Sequence, residues 1–197
     1  MKKIKILMTI LCVTFMALGM VSSASALTIT PNTSSVWTFT GDPSNPTPGE
    51  IADIVGYSGT LFELYKQDVP DEGGPFPPDE GSFASSYETT FFNTEIDPED
   101  ATITYVSGLY ITGDPLYLLV KDGNHDPAWY VFDLNSVSPP IPSVSWNGTE
   151  ILQIQGFWPD GGAISHVSIY GSVPVPEPIT LLLLGFGLIG LAGFRRR

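Results

Sequence analysis

Cysteine is almost missing. The 197-residue chain has one, Cys12, and it falls inside an apolar N-terminal run. Beyond that run there is no thiol for a disulfide, a thiolate nucleophile or a cysteine-ligated zinc site, so a packed core must carry stability. Positive charge is nearly as scarce. Lys2, Lys3 and Lys5 lie at one end of the sequence and Arg195, Arg196 and Arg197 at the other, which leaves Lys66 and Lys121 between them. All 21 Asp and Glu fall in residues 27–178, so this section carries a formal charge of −19, against −13 for the whole chain. Such a surface repels nucleic acid phosphates and anionic lipid head groups, and nucleic acid is not an expected partner. Histidine is limited to His125 and His166. No nucleophile-elbow pattern accompanies them, and the expectation is that the protein is not an enzyme. Aromatic residues, by contrast, are plentiful: 11 Phe, 8 Tyr and 4 Trp supply the large apolar areas a core needs.

The amino end has three parts. Lys2, Lys3 and Lys5 precede an apolar run from Ile6 to Met20, followed by small residues in which Ala24-x-Ala26 fits a signal-peptidase site. Residues 1–26 are expected to be a signal peptide that passes through the Sec machinery and is cut after Ala26 by signal peptidase. An uncleaved anchor is the alternative.

At the carboxyl end a Pro-rich linker, 171–178, leads through Val175-Pro176-Glu177-Pro178 into the apolar stretch 179–194 and then Arg195-Arg196-Arg197. Sixteen residues in a helix span about 24 Å, slightly short of a hydrocarbon core of about 30 Å. Pro178 can supply the first turn, and the arginines can snorkel at the far end. The arginine cluster favours a cytoplasmic tail, with the acidic section on the opposite side. The expectation is a single transmembrane helix over 179–194 and a cytoplasmic tail over 195–197. Pro174, Pro176 and Pro178 hold the preceding chain extended, as a protease substrate requires.

This order of motif, short Leu/Gly-rich span and arginine cluster resembles the PEP-CTERM sorting domain. The resemblance implies recognition by an exosortase, a membrane-embedded transpeptidase, cleavage near the motif, and display at the cell surface or in the extracellular space. It also implies an organism that makes exopolysaccharide, a candidate partner. A tail anchor on a proline-rich stalk is the plainer reading of the same letters.

Between these ends, 27–170 has no long helical periodicity. Short β-branched and aromatic runs recur between Gly, Pro, Asn and Asp. Strands are predicted over 27–30, 36–40, 59–66, 87–93, 101–106, 116–121, 129–134, 150–155 and 163–170, with 41–50 and 68–81 as long irregular turns. Two apolar runs around Asp122-Gly123 predict a β-hairpin, and Trp146-Asn147-Gly148-Thr149 a further turn. The fold class expected is all-β, an antiparallel, jelly-roll-like β-sandwich. Residues 121–134 and 146–172 are also similar to the C-terminal half of domains found upstream of this sorting signal, which implies a shared fold and no particular activity.

Two sets of residues are candidates for ligand chemistry. Asp122-x-Asn124-x-Asp126 spaces oxygen ligands as a calcium loop begins, with Asp133 at the twelfth position. Pro127 stands where such a loop needs glycine, and a hairpin turn explains the same residues. No cofactor is therefore expected, with Ca²⁺ as the one candidate. Trp129, Trp146 and Trp158, beside Tyr130, could form a sugar-binding aromatic face, and two of them adjoin turns. Core packing accounts for them equally well. The functional expectation is an exported surface or matrix protein with a structural or adhesive domain; the alternative is a carbohydrate-binding module for exopolysaccharide.

Overall fold

The computed structural model describes residues 26–33, 36–39, 45–70, 74–92, 99–122, 125–135, 145–158 and 162–172. Residues 1–25 of the expected signal peptide, Ala24 among them, and the C-terminal motif, apolar stretch and arginine cluster lie outside the described residues, whereas Ala26, the last residue of that expected segment, is described. No helix among the described residues is long and apolar enough to cross a membrane.

Among the described residues nine strands form two sheets. In chain order they are β1 (Ala26–Ile29), β2 (Val36–Phe39), β3 (Phe62–Asp68), β4 (Tyr87–Phe92), β5 (Asp100–Tyr105), β6 (Leu116–Lys121), β7 (Trp129–Asp133), β8 (Ile151–Ile154) and β9 (His166–Gly171). One sheet has the order β1-β8-β5-β4 and the other β2-β7-β6-β9-β3. The predicted hairpin is the β6–β7 pair, closed by Asp122 N–H donating to the Ala128 carbonyl at 2.9 Å. Side chains from both sheets, among them Ile29, Phe91, Ile103, Leu118, Val120, Phe132, Leu152, Val167 and Ile169, form one buried cluster. The sheets are therefore packed face to face around a common core.

The structure departs from the sequence expectation in two respects. One ladder is parallel: β1 lies beside β8 with Ala26 opposite Ile151. Nine strands split four and five, with that parallel edge, differ from an eight-stranded antiparallel jelly roll. The second departure is a helix, α1 (Pro48–Val55), part of it inside the stretch expected to be an irregular turn. Thr47 caps it. Its hydroxyl accepts the Glu50 N–H at 3.3 Å, and the Glu50 carboxylate accepts the Thr47 N–H at 2.7 Å. This reciprocal capping box, with Pro48 in the first turn, satisfies N–H groups that would otherwise be orphaned. Gly56, at φ +72°, ends the helix in the left-handed conformation.

The helix matters because it covers the outer face of the five-stranded sheet. Ile51 and Ala52 pack with Leu119, Trp129, Val131 and Tyr170 in a second apolar cluster. β6 and β9 are buried on both faces along their whole length, beneath α1 at Leu119 and Tyr170. The predicted turn at Trp146–Thr149 is present, with Asn147 Oδ1 accepting the Thr149 and Glu150 N–H groups at 2.9 Å each. Gly148 is required there: its φ is +85°, and a Cβ would collide with the Ile111 carbonyl.

Candidate functional site

The β6–β7 turn holds several sequence-nominated residues, of which Asp122 has a defined structural task. Asp122 is only 3% exposed. Its Oδ2 accepts the Ala163 N–H at 2.9 Å and lies 2.7 Å from His125 Nδ1. The carboxylate thus ties the turn to the segment entering β9, as a turn residue with a buried acceptor should. Asp126 is exposed, and Asn124 lies outside the described residues. Among the described residues no three His, Cys, Asp or Glu side chains are close enough together to hold a metal ion. Asp133, the twelfth-position candidate, instead accepts the Asn135 N–H at 2.8 Å. Partial burial holds its carboxyl above the usual range.

The tryptophans follow the core-packing reading and not the exposed aromatic face. Trp129, Trp146 and Trp158 are 5%, 3% and 7% exposed. Trp129 lies beneath α1. The Trp146 and Trp158 indole N–H groups donate to the Glu150 and Pro127 carbonyls, each at 2.7 Å. An indole with its N–H satisfied and its rings packed is more stable inside than out, even beside a turn. No flat aromatic platform results.

Trp158 nevertheless borders a cleft of about 320 Å³ with Asn32, His125, Asp126, Pro127 and Tyr130. Its backbone sits at φ +50°, and among the described residues it alone adopts a positive φ without being glycine. Tyr130 and Phe157 brace the indole, with ring centroids 5.3 and 5.6 Å away. Strained backbone of this kind persists only where the surroundings enforce it. The result is an apolar wall under a rim of amide, carboxylate and imidazole groups. Such a wall and rim can hold one face of a small polyhydroxylated ligand through hydrogen bonds. The sequence pointed to Trp158, Tyr130 and Asp126 separately. It did not bring Asn32, far away in the chain, to the same cleft.

His166 lies on the outer face of the five-stranded sheet, away from Val167 and Ile169, as the alternation predicts. It is buried, not exposed, at 2%. Burial lowers its pKa to about 4, with the nearby Asp68 opposing and Lys121 and Lys66 reinforcing the shift. Its Nδ1 is 3.7 Å from Asp68 Oδ1, too far for a hydrogen bond. Ser165 lines a cavity together with His166, but its hydroxyl donates to the Lys121 carbonyl at 3.1 Å. A nucleophile activated by His166 would need a hydrogen bond to the imidazole, and Ser165 is committed elsewhere.

Comparison with known proteins bears on the C-terminal end. A family model, the PEP-CTERM protein-sorting motif, matches residues 174–197. No curated protein and no solved structure matches the chain. Val175, Pro176, Glu177 and Pro178, and the Arg195–Arg197 cluster, all fall within the matched residues. The chain therefore carries a PEP-CTERM sorting signal, which directs it to an exosortase and to the cell surface.

Proposed function

We propose that the protein is exported through a cleaved signal peptide, held by residues 179–194 in the membrane, and cut by an exosortase near Pro176-Glu177-Pro178. The two-sheet domain is then displayed as a structural or adhesive component of the surface or extracellular matrix. The sorting motif at 174–197 carries this reading. A packed aromatic core and a charge of −19 over residues 27–178 are compatible with it, since they favour a soluble, self-repelling domain. The test replaces Pro176, Glu177 and Pro178 by alanine and follows both mass and location. The parent protein should be recovered lacking both terminal segments, at the surface or in the medium. The variant should keep its C-terminal segment and stay in the membrane fraction. An identical mass and location for the two proteins would overturn the proposal.

The cleft beside Trp158 favours a second reading, a carbohydrate-binding module for exopolysaccharide. Tyr130 and Trp158 would supply the apolar wall and Asn32 and Asp126 the hydrogen bonds. Retention of the protein on the organism's own polysaccharide, weakened in Asn32→Ala and Asp126→Ala, is the expected result. Equal retention of parent and variants counts against this reading.

A further inference from the structure

A second cavity, of about 560 Å³, opens at the end of the β3, β9 and β6 strands. Cross-strand register builds its floor: Asp68 on β3 is opposite His166 on β9, which is opposite Lys121 on β6. Its walls are fixed by hydrogen bonds. Ser165 N–H donates to the Lys121 carbonyl at 2.7 Å, and Val69 N–H to the Ser165 carbonyl at 2.9 Å. Gln67 Nε2 donates to the Pro77 carbonyl at 2.9 Å, which holds the proline-rich rim in place. The cavity is therefore formed before any ligand arrives.

Its charges are unequally matched. Lys66 Nζ is 2.8 Å from Asp68 Oδ2 and 3.7 Å from Glu80 Oε2. Lys121 is 7% exposed and borders the cavity, and no described carboxylate lies within salt-bridge distance of its ammonium. Burying an ammonium without a direct ion pair is costly, and burial lowers the pKa of Lys121, opposed by the nearby Asp122 and Asp68. Residues 27–178 contain two lysines among 21 acids, and the strand register brings Lys121 to this cavity instead of leaving it on the surface.

We propose that this cavity binds a hydroxylated carboxylate, the chemistry of an acidic sugar unit, with the Lys121 ammonium as counter-ion and Asp68 and Asn45 hydrogen-bonding its hydroxyls. Among the described residues Lys121 has no carboxylate within salt-bridge distance, and its single charge matches one negative charge. A dianion such as phosphate is opposed by Asp68, by Glu80 and by the acidic domain as a whole. Val69, Pro75 and Pro77 offer the apolar surface against which a sugar ring lies. This reading does not depend on the sorting signal or on the Trp158 cleft.

The test is calorimetric titration of the protein recovered from cells with glucuronate, glucose and inorganic phosphate. Glucuronate should bind at least about tenfold more tightly than glucose, since only the acid engages the buried ammonium. Phosphate should not compete. Lys121→Met, which keeps the packed stem, should remove the preference for glucuronate, and Lys121→Arg should retain it. Equal affinity for glucuronate and glucose, or no binding of either by the parent protein, overturns the proposal. So does phosphate competition, or an unchanged preference in a folded Lys121→Met. The parent protein's selectivity alone decides the matter if the methionine variant does not fold.

Discussion

The two faces of the five-stranded sheet are both buried, by different means. The inner face meets the other sheet with Leu118, Val120, Phe132, Val167 and Ile169, and its neighbours are almost wholly apolar. The outer face is covered over one part by α1, through Leu119, Trp129, Val131 and Tyr170. Beyond the helix the same face carries Asp68, His166 and Lys121 around a cavity. Closing a face with another sheet produces a core, whereas closing it with one short helix leaves a margin where polar groups are buried but reachable. That margin is where a ligand site can form. On the proposal for the Lys121 cavity, ligand selectivity would belong to the outer face and stability to the inner one.

The largest effect should come from opening the inner face. Leu118→Ala removes a fully buried side chain between the sheets and should cost about 2–5 kcal/mol. Urea unfolding would check it; a loss under about 1 kcal/mol would mean the inner core is loosely packed.

The outer face should show itself through acid. His166 has a native pKa of about 4, below the ordinary value of 6.5. The unfolded chain therefore binds a proton that the native state refuses across that interval. Its effect is absent above about pH 6.5, and stability falls as pH drops towards 4, by up to roughly 3 kcal/mol. Asp79 and Asp133, with carboxyl pKa values raised by burial, act in the opposite direction near the lower end. His166→Gln should flatten the dependence of the urea midpoint between pH 6.5 and 4.5; an unchanged slope would show that the imidazole is not protected from protonation.

Two smaller tests sharpen the contrast. The Tyr87 hydroxyl, within the inner core, accepts the Ile111 N–H and donates to the Gly148 carbonyl, each at 2.7 Å. Tyr87→Phe leaves both backbone groups without that partner and should lower the unfolding free energy by about 1–3 kcal/mol. Thr47→Ala removes the cap of α1 and should cost about 1 kcal/mol, with Thr47→Ser restoring it. Hydrogen exchange should then quicken in α1 before it does in β4 or β5. Equal quickening throughout would mean that helix and sandwich open as one unit.

Much of the sandwich was legible in the sequence because strand signals are local. Alternation, as in Tyr87–Phe92, and Gly/Asn turns marked where chain segments begin and reverse. The run Leu116–Lys121 lacks alternation, a sign of burial on both faces that points to a third layer. The helix supplying that layer was hidden by its own start. Thr47-Pro48-Gly49-Glu50 reads as a turn by composition, although Thr47 and Glu50 have capping-box spacing with proline at the first helical position. The cavity was not legible. Asp68, Lys121 and His166 meet only through the β3–β9–β6 register, and nothing in the neighbourhood of any one of them predicts the other two. For the tryptophans the sequence left core packing and an exposed face both open, because a turn-adjacent indole looks the same on paper whether its N–H faces water or a carbonyl.

The placement of β9 has a mechanical consequence. The strand runs from His166 to Gly171, hydrogen-bonded to β6 on one side and β3 on the other. The matched sorting segment starts three positions after its last residue. Traction on that segment, by a flowing medium or a neighbouring cell, enters the domain along a strand with two ladders and side chains packed on both faces. Rungs arranged side by side share the load instead of parting one after another. A tether attached at β1 or β2, each with one ladder among the described residues, would load a single ladder.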